Sequence, residues 1–230
     1  METDPKNDIL SRSKYLIYLA VAFVAVLMIS NTTAGKVIAV GPLAVSGALI
    51  IFPLSYILGD VLTEVYGYRA ARKVVWSGFA ALALMSLAYW IIQILPSAAF
   101  WENQAAYEVI LGAVPRITLA SMIAYFCGEF VNSYVLSRMK VWMNGKQLWM
   151  RTIASTIAGE GIDTVLFMFV AFAGVLPVTA IFILILSEYA IKVAYEVAAT
   201  PITYKVIGWL KRKEGIDVYD RGIDYNPFAP

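Results

Sequence analysis

The residues best placed to do chemistry in this chain are carboxylates embedded in apolar sequence. Asp60 and Glu64 stand four apart within FPLSYILGDVLTEVYGYRAARKVVW (Phe52 to Trp76), so on a helix they share one face. Tyr68, Arg69, Arg72 and Lys73 follow at once. Such a pair is too polar for lipid and is tolerated at membrane depth only where it faces a bundle interior, a partner or a wet cavity. Similar groups recur downstream: Glu129 with Asn132 and Ser133, Glu160 with Asp163 and Thr164, and Glu188 with Lys192 and Glu196. Together the acids Asp60, Glu64, Glu129, Glu160, Asp163, Glu188 and Glu196 face Lys192, with Arg72 and Arg151 near the inner ends. Acceptors therefore exceed fixed donors. A cavity of that kind suits a ligand rich in N–H donors, a cation, or a path that takes up protons, and it suits phosphates badly. Tyr56, Tyr125, Phe126, Tyr189 and Tyr195 offer flat faces for a ring, with core packing as the competing role of each.

Three of these groups share a pattern. Gly59-Asp60 leads to Thr63-Glu64, Gly128-Glu129 to Asn132-Ser133, and Gly159-Glu160 to Asp163-Thr164. The acid and the polar residue three or four positions on share a helical face, while each glycine lets a neighbouring backbone approach. Three helices thus aim matching polar patches at one cavity; the plainer alternative is polar glue between helices. Glu188, Lys192 and Glu196, spaced by four, also read as a self-neutralising ladder on a single helix.

Chemistry of other kinds finds no footing in the residues. The chain has no His, which removes the commonest neutral-pH proton carrier and metal ligand. Its one cysteine, Cys127, sits in an apolar run. There is no Gly-rich phosphate loop, no Cys or His cluster, and no nucleophile beside a base. The expectation is a protein that is not an enzyme, with no cofactor and no metal.

The elements that must carry these residues are membrane spans. Of 230 residues, 60% are hydrophobic and 15% charged, with a mean hydropathy of +0.72, outside the range of soluble domains. Six spans are expected: 15–34, 43–65, 74–95, 117–136, 152–176 and 178–207, the last tilting or breaking near Pro201. Gly35, Gly41 and Pro42 mark a short connection and residues 66–73 an exit loop. With both termini inside, the inner segments hold 15 of the 18 basic residues, as cytoplasmic loops do. Only Lys36 and Arg116 fall outside, and Lys192 lies within a span. The predicted fold is an all-α membrane protein, six transmembrane helices in one bundle, with both termini cytoplasmic. Residues 1–14 form a cytoplasmic tail without a signal peptide, 15–210 the transmembrane domain and 211–230 a second cytoplasmic tail. Nucleic-acid binding is not indicated by a net charge of +2.

Several ordered motifs go further. The stretch around Asp60 and Glu64, PRITLASMIAY (Pro115 to Tyr125) continuing to Gly128-Glu129 and Asn132-Ser133-Tyr134, Arg151 through Ser155-Thr156 to Gly159-Glu160 and Asp163, and Tyr189, Lys192 and Pro201 together resemble the queuosine precursor transporter family, part of the wider vitamin uptake transporters. The similarity runs from about Leu16 to Leu210. It implies a six-helix protein of the inner membrane that imports a 7-deazaguanine precursor, in nitrile or aminomethyl form, for queuosine modification of tRNA. A guanine-like edge offers parallel N–H donors to a carboxylate, which agrees with the acid excess. On this basis Glu129, Asn132, Asp163 and Lys192 are expected at the base, with Glu160, Glu188, Tyr125 and Tyr189 around it. Asp60, Glu64 and Arg72 are expected to gate the inward end or couple protons. Glu160 and Glu188 depart from the family pattern, which often has Gln and Asn there. Ala20, Ala22 and Ala25 lack the Ala-x-x-x-Ala contact of energy-coupling-factor subunits, favouring a stand-alone carrier. The alternatives left open are a substrate-binding subunit with energy-coupling ATPase partners, and an intramembrane enzyme or scaffold. Expected partners are the small molecule and membrane lipid; a homo-oligomer is left open.

Overall fold

The computed structural model describes residues 13–40, 43–112, 114–174 and 177–228. Helices dominate it: α1 (Leu16–Thr33), α2 (Pro53–Tyr66), α3 (Tyr68–Ile94), α4 (Gln104–Leu111), α5 (Val114–Trp142), α6 (Leu148–Phe172) and α7 (Val178–Glu214). Strands β1 (Val37–Val40) and β2 (Leu43–Ser46) form an antiparallel hairpin between α1 and α2, followed by a 3-10 turn at Gly47–Ile50. The expected N-terminal tail falls mostly on residues 1–12, outside the described residues.

Five helical segments are long and apolar enough to cross a membrane: Leu16–Thr33, Tyr68–Ile94, Gln104–Trp142, Leu148–Phe172 and Val178–Glu214. Their outward faces carry side chains suited to lipid, among them Leu84, Trp90, Ile92, Phe182, Ile183 and Leu186. The chain is a multi-pass membrane protein.

The expected second span, 43–65, is the main departure from the sequence reading. Its first part is the hairpin's second strand and the 3-10 turn, and only Pro53–Tyr66 is α-helix. The run LAVSGALIIF (Leu43 to Phe52) is apolar without a helical period, so strand and helix were equally available to it. Pro53 then starts the helix at a first-turn position where its missing N–H does no harm. Fourteen residues rise only about 21 Å, short of a roughly 30 Å hydrocarbon core. Instead α2 is enclosed by protein: Tyr56, Asp60, Val61, Leu62, Thr63, Glu64 and Val65 are each at most 1% exposed. It packs on α1, α3, α5 and α7, and that enclosure satisfies the polar groups lipid would not.

Other boundaries also shift. The predicted exit loop at 66–73 reduces to Gly67, whose φ of 84° and ψ of 165° belong to a region open essentially to glycine alone. Pro201 does not break α7, which runs unbroken for 37 residues, about 55 Å. Residues 211–214 therefore belong to this helix rather than to a tail. Beyond Gly215 the chain folds back: the Val218 N–H donates to the Val65 carbonyl (3.2 Å), and Tyr68 Oη, Arg72 Nη1 and Trp76 Nε1 donate to the carbonyls of Tyr225, Asn226 and Pro227 at 2.8, 2.6 and 2.9 Å. At the same end, the Tyr15 N–H donates to Glu214 Oε1 (2.6 Å). The start of α1 and the end of α7 thus lie side by side.

Candidate functional site: a polar column through the bundle

At the end of the bundle shared by the chain termini, Glu64 is the hub of an ion-pair network. Arg151 on α6 donates to both its carboxylate oxygens, Nη2 at 3.2 Å and Nη1 closer still. Lys211 on α7 reaches Glu64 Oε1 at 2.7 Å, and Lys140 on α5 reaches it at 3.6 Å. Lys140 also donates to the Glu64 carbonyl (2.6 Å) and the Val218 carbonyl (2.7 Å). Asp217, in the returning tail, accepts from Lys140 at 2.6 Å and from Lys211 at 2.9 Å. Burial works against its charge, yet these two ammonium groups win and hold the Asp217 carboxyl below the usual carboxylate range. Asp220 adds a bond to the Tyr68 N–H (2.9 Å) at the start of α3 and accepts from Ser137 (2.7 Å). The network clamps α2, α5, α6, α7 and the tail together.

One layer further in, the three Gly-acid motifs meet. A Cβ on Gly128 would lie 2.8 Å from the Gly159 carbonyl, and a Cβ on Gly159 would lie 2.7 Å from the Gly128 carbonyl, so α5 and α6 cross backbone to backbone. The Glu129 carboxylate lies directly over Gly59. Tyr125 Oη donates to Glu129 Oε2 (3.0 Å), Ser133 donates to its Oε1 (3.1 Å), and Thr63 and Ser133 share a bond of 2.9 Å. Asn132 Nδ2 donates to Asp60 Oδ1 at 2.7 Å. Every group here is buried.

Toward the hairpin end the column opens into a cavity. About 50 Å³ of it is open to the centre of a water-sized sphere, several times what one water needs. Its charged wall is Asp163, Glu188 and Lys192; Ser30, Asn31, Ser46 and Ser121 add polar groups, and Phe52, Ile117 and Phe167 supply apolar surface. Lys192 Nζ lies 2.7 Å from Asp163 Oδ2, 3.1 Å from Glu160 Oε2 and 3.2 Å from Thr164 Oγ1. It also stands 4.9 Å above the centre of the Phe52 ring. The expected ladder along α7 is thus replaced by pairing across to α6.

The structure brings Asp163, Glu188 and Lys192 to this cavity, with Glu160 behind the wall on Lys192. Glu129, Asn132 and Asp60 sit one layer below. Tyr125 is absorbed into an aromatic cluster with Phe52, Tyr56 and Phe79 (centroids 5.6, 5.3 and 6.1 Å away) and reaches the polar column through Glu129. Tyr189 leans on the outside of α6, its hydroxyl donating to the Ile157 carbonyl (3.1 Å). Arg72 serves the tail and stacks over Tyr68, while the cations that hold Glu64 come from α5, α6 and α7. Sequence reasoning missed Lys140, Lys211, Phe52 and Asn31. An Asn inside the first apolar span was a usable signal.

The helices thus hold a cavity with charged and apolar walls at one end and a cross-linked closure at the other. Residues 46–206 match the family described as "Putative vitamin uptake transporter", and the chain belongs to that family. It is 33% identical over 146 residues to the "Probable queuosine precursor transporter" of Bacillus subtilis, a match covering 63% of this chain and 64% of the relative, just under two thirds of its length. It is also 26% identical over 161 residues to the "Queuosine precursor transporter" of Escherichia coli, covering 70% of each. No solved structure matches the chain.

Proposed function

We propose that this chain imports a 7-deazaguanine precursor of queuosine, in nitrile or aminomethyl form, across the cytoplasmic (inner) membrane as a stand-alone carrier. The observation that carries the reading is the cavity wall of Asp163, Glu188 and Lys192 beside the Phe52 ring. Carboxylates accept the parallel N–H donors of a guanine-like edge, the ammonium answers the ring carbonyl, and Phe52 offers a stacking face. The two named relatives support the substrate class. Glu160 steadies Lys192, and Glu129 and Asn132 form the next station inward.

In this reading the five long helices make five crossings, and the buried α2 together with the hairpin and turn that lead into it makes the sixth. An even number agrees with Tyr15 and Glu214 meeting at one end. That end carries Lys140, Arg151 and Lys211, so the positive-inside rule assigns it to the cytoplasm. Residues 1–14 and 215–230 are then cytoplasmic, and the cavity faces outward while the Glu64 network closes the inner side.

The test is counterflow in proteoliposomes containing this chain alone, without ATP. Vesicles preloaded with unlabelled 7-deazaguanine nitrile are expected to take up the labelled compound transiently. Exchange that appears only after ATPase partners are added would refute the stand-alone reading, and no exchange under either condition would refute the transport reading.

A further inference from the structure

We propose that Asp60 on α2 and Glu196 on α7 form a buried site for the proton that drives transport, an inference that rests on the carrier reading above. Both side chains are withdrawn from solvent, Asp60 fully and Glu196 to 2% exposure. Asp60 Oδ1 accepts from Asn132, but Asp60 Oδ2 and Glu196 Oε1 have no hydrogen-bond partner among the described residues. Neither acid has an ion pair among the described residues. Lys192, one turn before Glu196, turns away to Asp163 and Glu160 on α6. The two orphaned carboxyls lie where α2 packs on α7, near enough for their charges to interact.

The other acids facing them are Glu129 from α5 and Glu64 on α2, which act on Asp60, and Glu160 from α6, on which Glu196 acts. Glu64 and Glu160 have cations of their own, Arg151 and Lys211 for the first and Lys192 for the second. Two ionised carboxylates in a low-dielectric interior, without a cation, repel each other and each lose several kcal/mol of hydration. One proton removes the repulsion and supplies the O–H donor that an orphaned oxygen lacks. The pair lies between the cavity wall at Asp163 and Lys192 and the closure at Glu64. A proton taken from the outer face therefore relieves the repulsion within the pair while the inner end is shut, and it leaves to inner water when that end opens.

The experiment uses proteoliposomes of the full chain loaded with a pH dye, with labelled 7-deazaguanine nitrile outside. Acid outside is expected to drive accumulation at least 10-fold above equilibrium, with substrate-evoked acidification of the lumen; a Na⁺ gradient at equal pH is expected to give none. Glu196→Gln, nearly isosteric, is expected to keep counterflow and lose both accumulation and proton entry. Asp60→Asn is expected to lose proton entry as well. Wild-type counterflow without proton entry would overturn the proposal, as would Na⁺-driven accumulation or a Glu196→Gln variant that still acidifies the lumen. Absence of wild-type counterflow would instead overturn the carrier reading beneath it.

Discussion

Arg151 on α6 presents its two terminal nitrogens to the two oxygens of Glu64 on α2, the buried helix. The fork-to-fork pairing joins two elements that, in the carrier proposed above, must separate for this end to open. Both side chains are 1% exposed, so the bond is not weakened by water as a surface pair would be.

Breaking this pair should destabilise the closed bundle. Arg151→Gln and Glu64→Gln are each expected to lower the melting temperature in detergent, and the double-mutant cycle to give a coupling energy of about 1–3 kcal/mol. Lys140 and Lys211 stay near Glu64 in the Arg151 variant, so that single change should fall below the roughly 3–5 kcal/mol of an isolated buried pair. Additive effects in the cycle would show that the two residues do not act together.

Gly67 should resist replacement. Its backbone conformation is open essentially to glycine, and an added Cβ would lie 2.7 Å from Val218 and 2.9 Å from Asp220. Gly67→Ala is expected to cost about 1–3 kcal/mol and to expose the tail. Faster proteolysis within residues 215–228 would register this, whereas wild-type cleavage rates would show that the tail does not depend on the turn.

The α5–α6 crossing makes a similar demand. Gly159→Ala forces a methyl against the Gly128 carbonyl and the Asn132 side chain, so a loss of about 1–3 kcal/mol is expected from overpacking. An unchanged melting curve would mean that the helices part without penalty.

The tail also carries a pH signature. Because Asp217 has a lowered folded pKa, its stabilisation is complete above the unfolded value of about 3.9 and is lost as pH falls through the folded value. Trp76, which donates to the Pro227 carbonyl, reports the docking by fluorescence. Little change is expected between pH 7 and 5, with release below about pH 4. Asp217→Asn should flatten the acid transition, and an equally large one in that variant would contradict the assignment.

Much of this architecture was legible in the residues. Apolar length located the long helices because a bilayer sets it, and the Gly-acid spacing anticipated the meeting of Gly128 with Gly159 and the convergence of Asp60 with Asn132. The hairpin was hidden because Leu43 to Phe52 has no period that distinguishes strand from helix. The tail was hidden because its contacts run through the carbonyls of Tyr225, Asn226 and Pro227, which every residue possesses. Lys140 and Lys211 read as topology markers, and only the folded geometry shows their long side chains turned inward to Glu64.

Ligand-dependent thermal stabilisation tests the central claim most directly. The nitrile and aminomethyl deazaguanines are each added to the purified protein in detergent, with guanine as control. One or both should raise the wild-type melting temperature by several degrees at saturation, and guanine should raise it less. Asp163→Asn and Glu188→Gln should abolish most of that rise. Full stabilisation in both variants, or none in the wild type, would contradict a cavity that recognises its ligand through Asp163, Glu188 and Lys192.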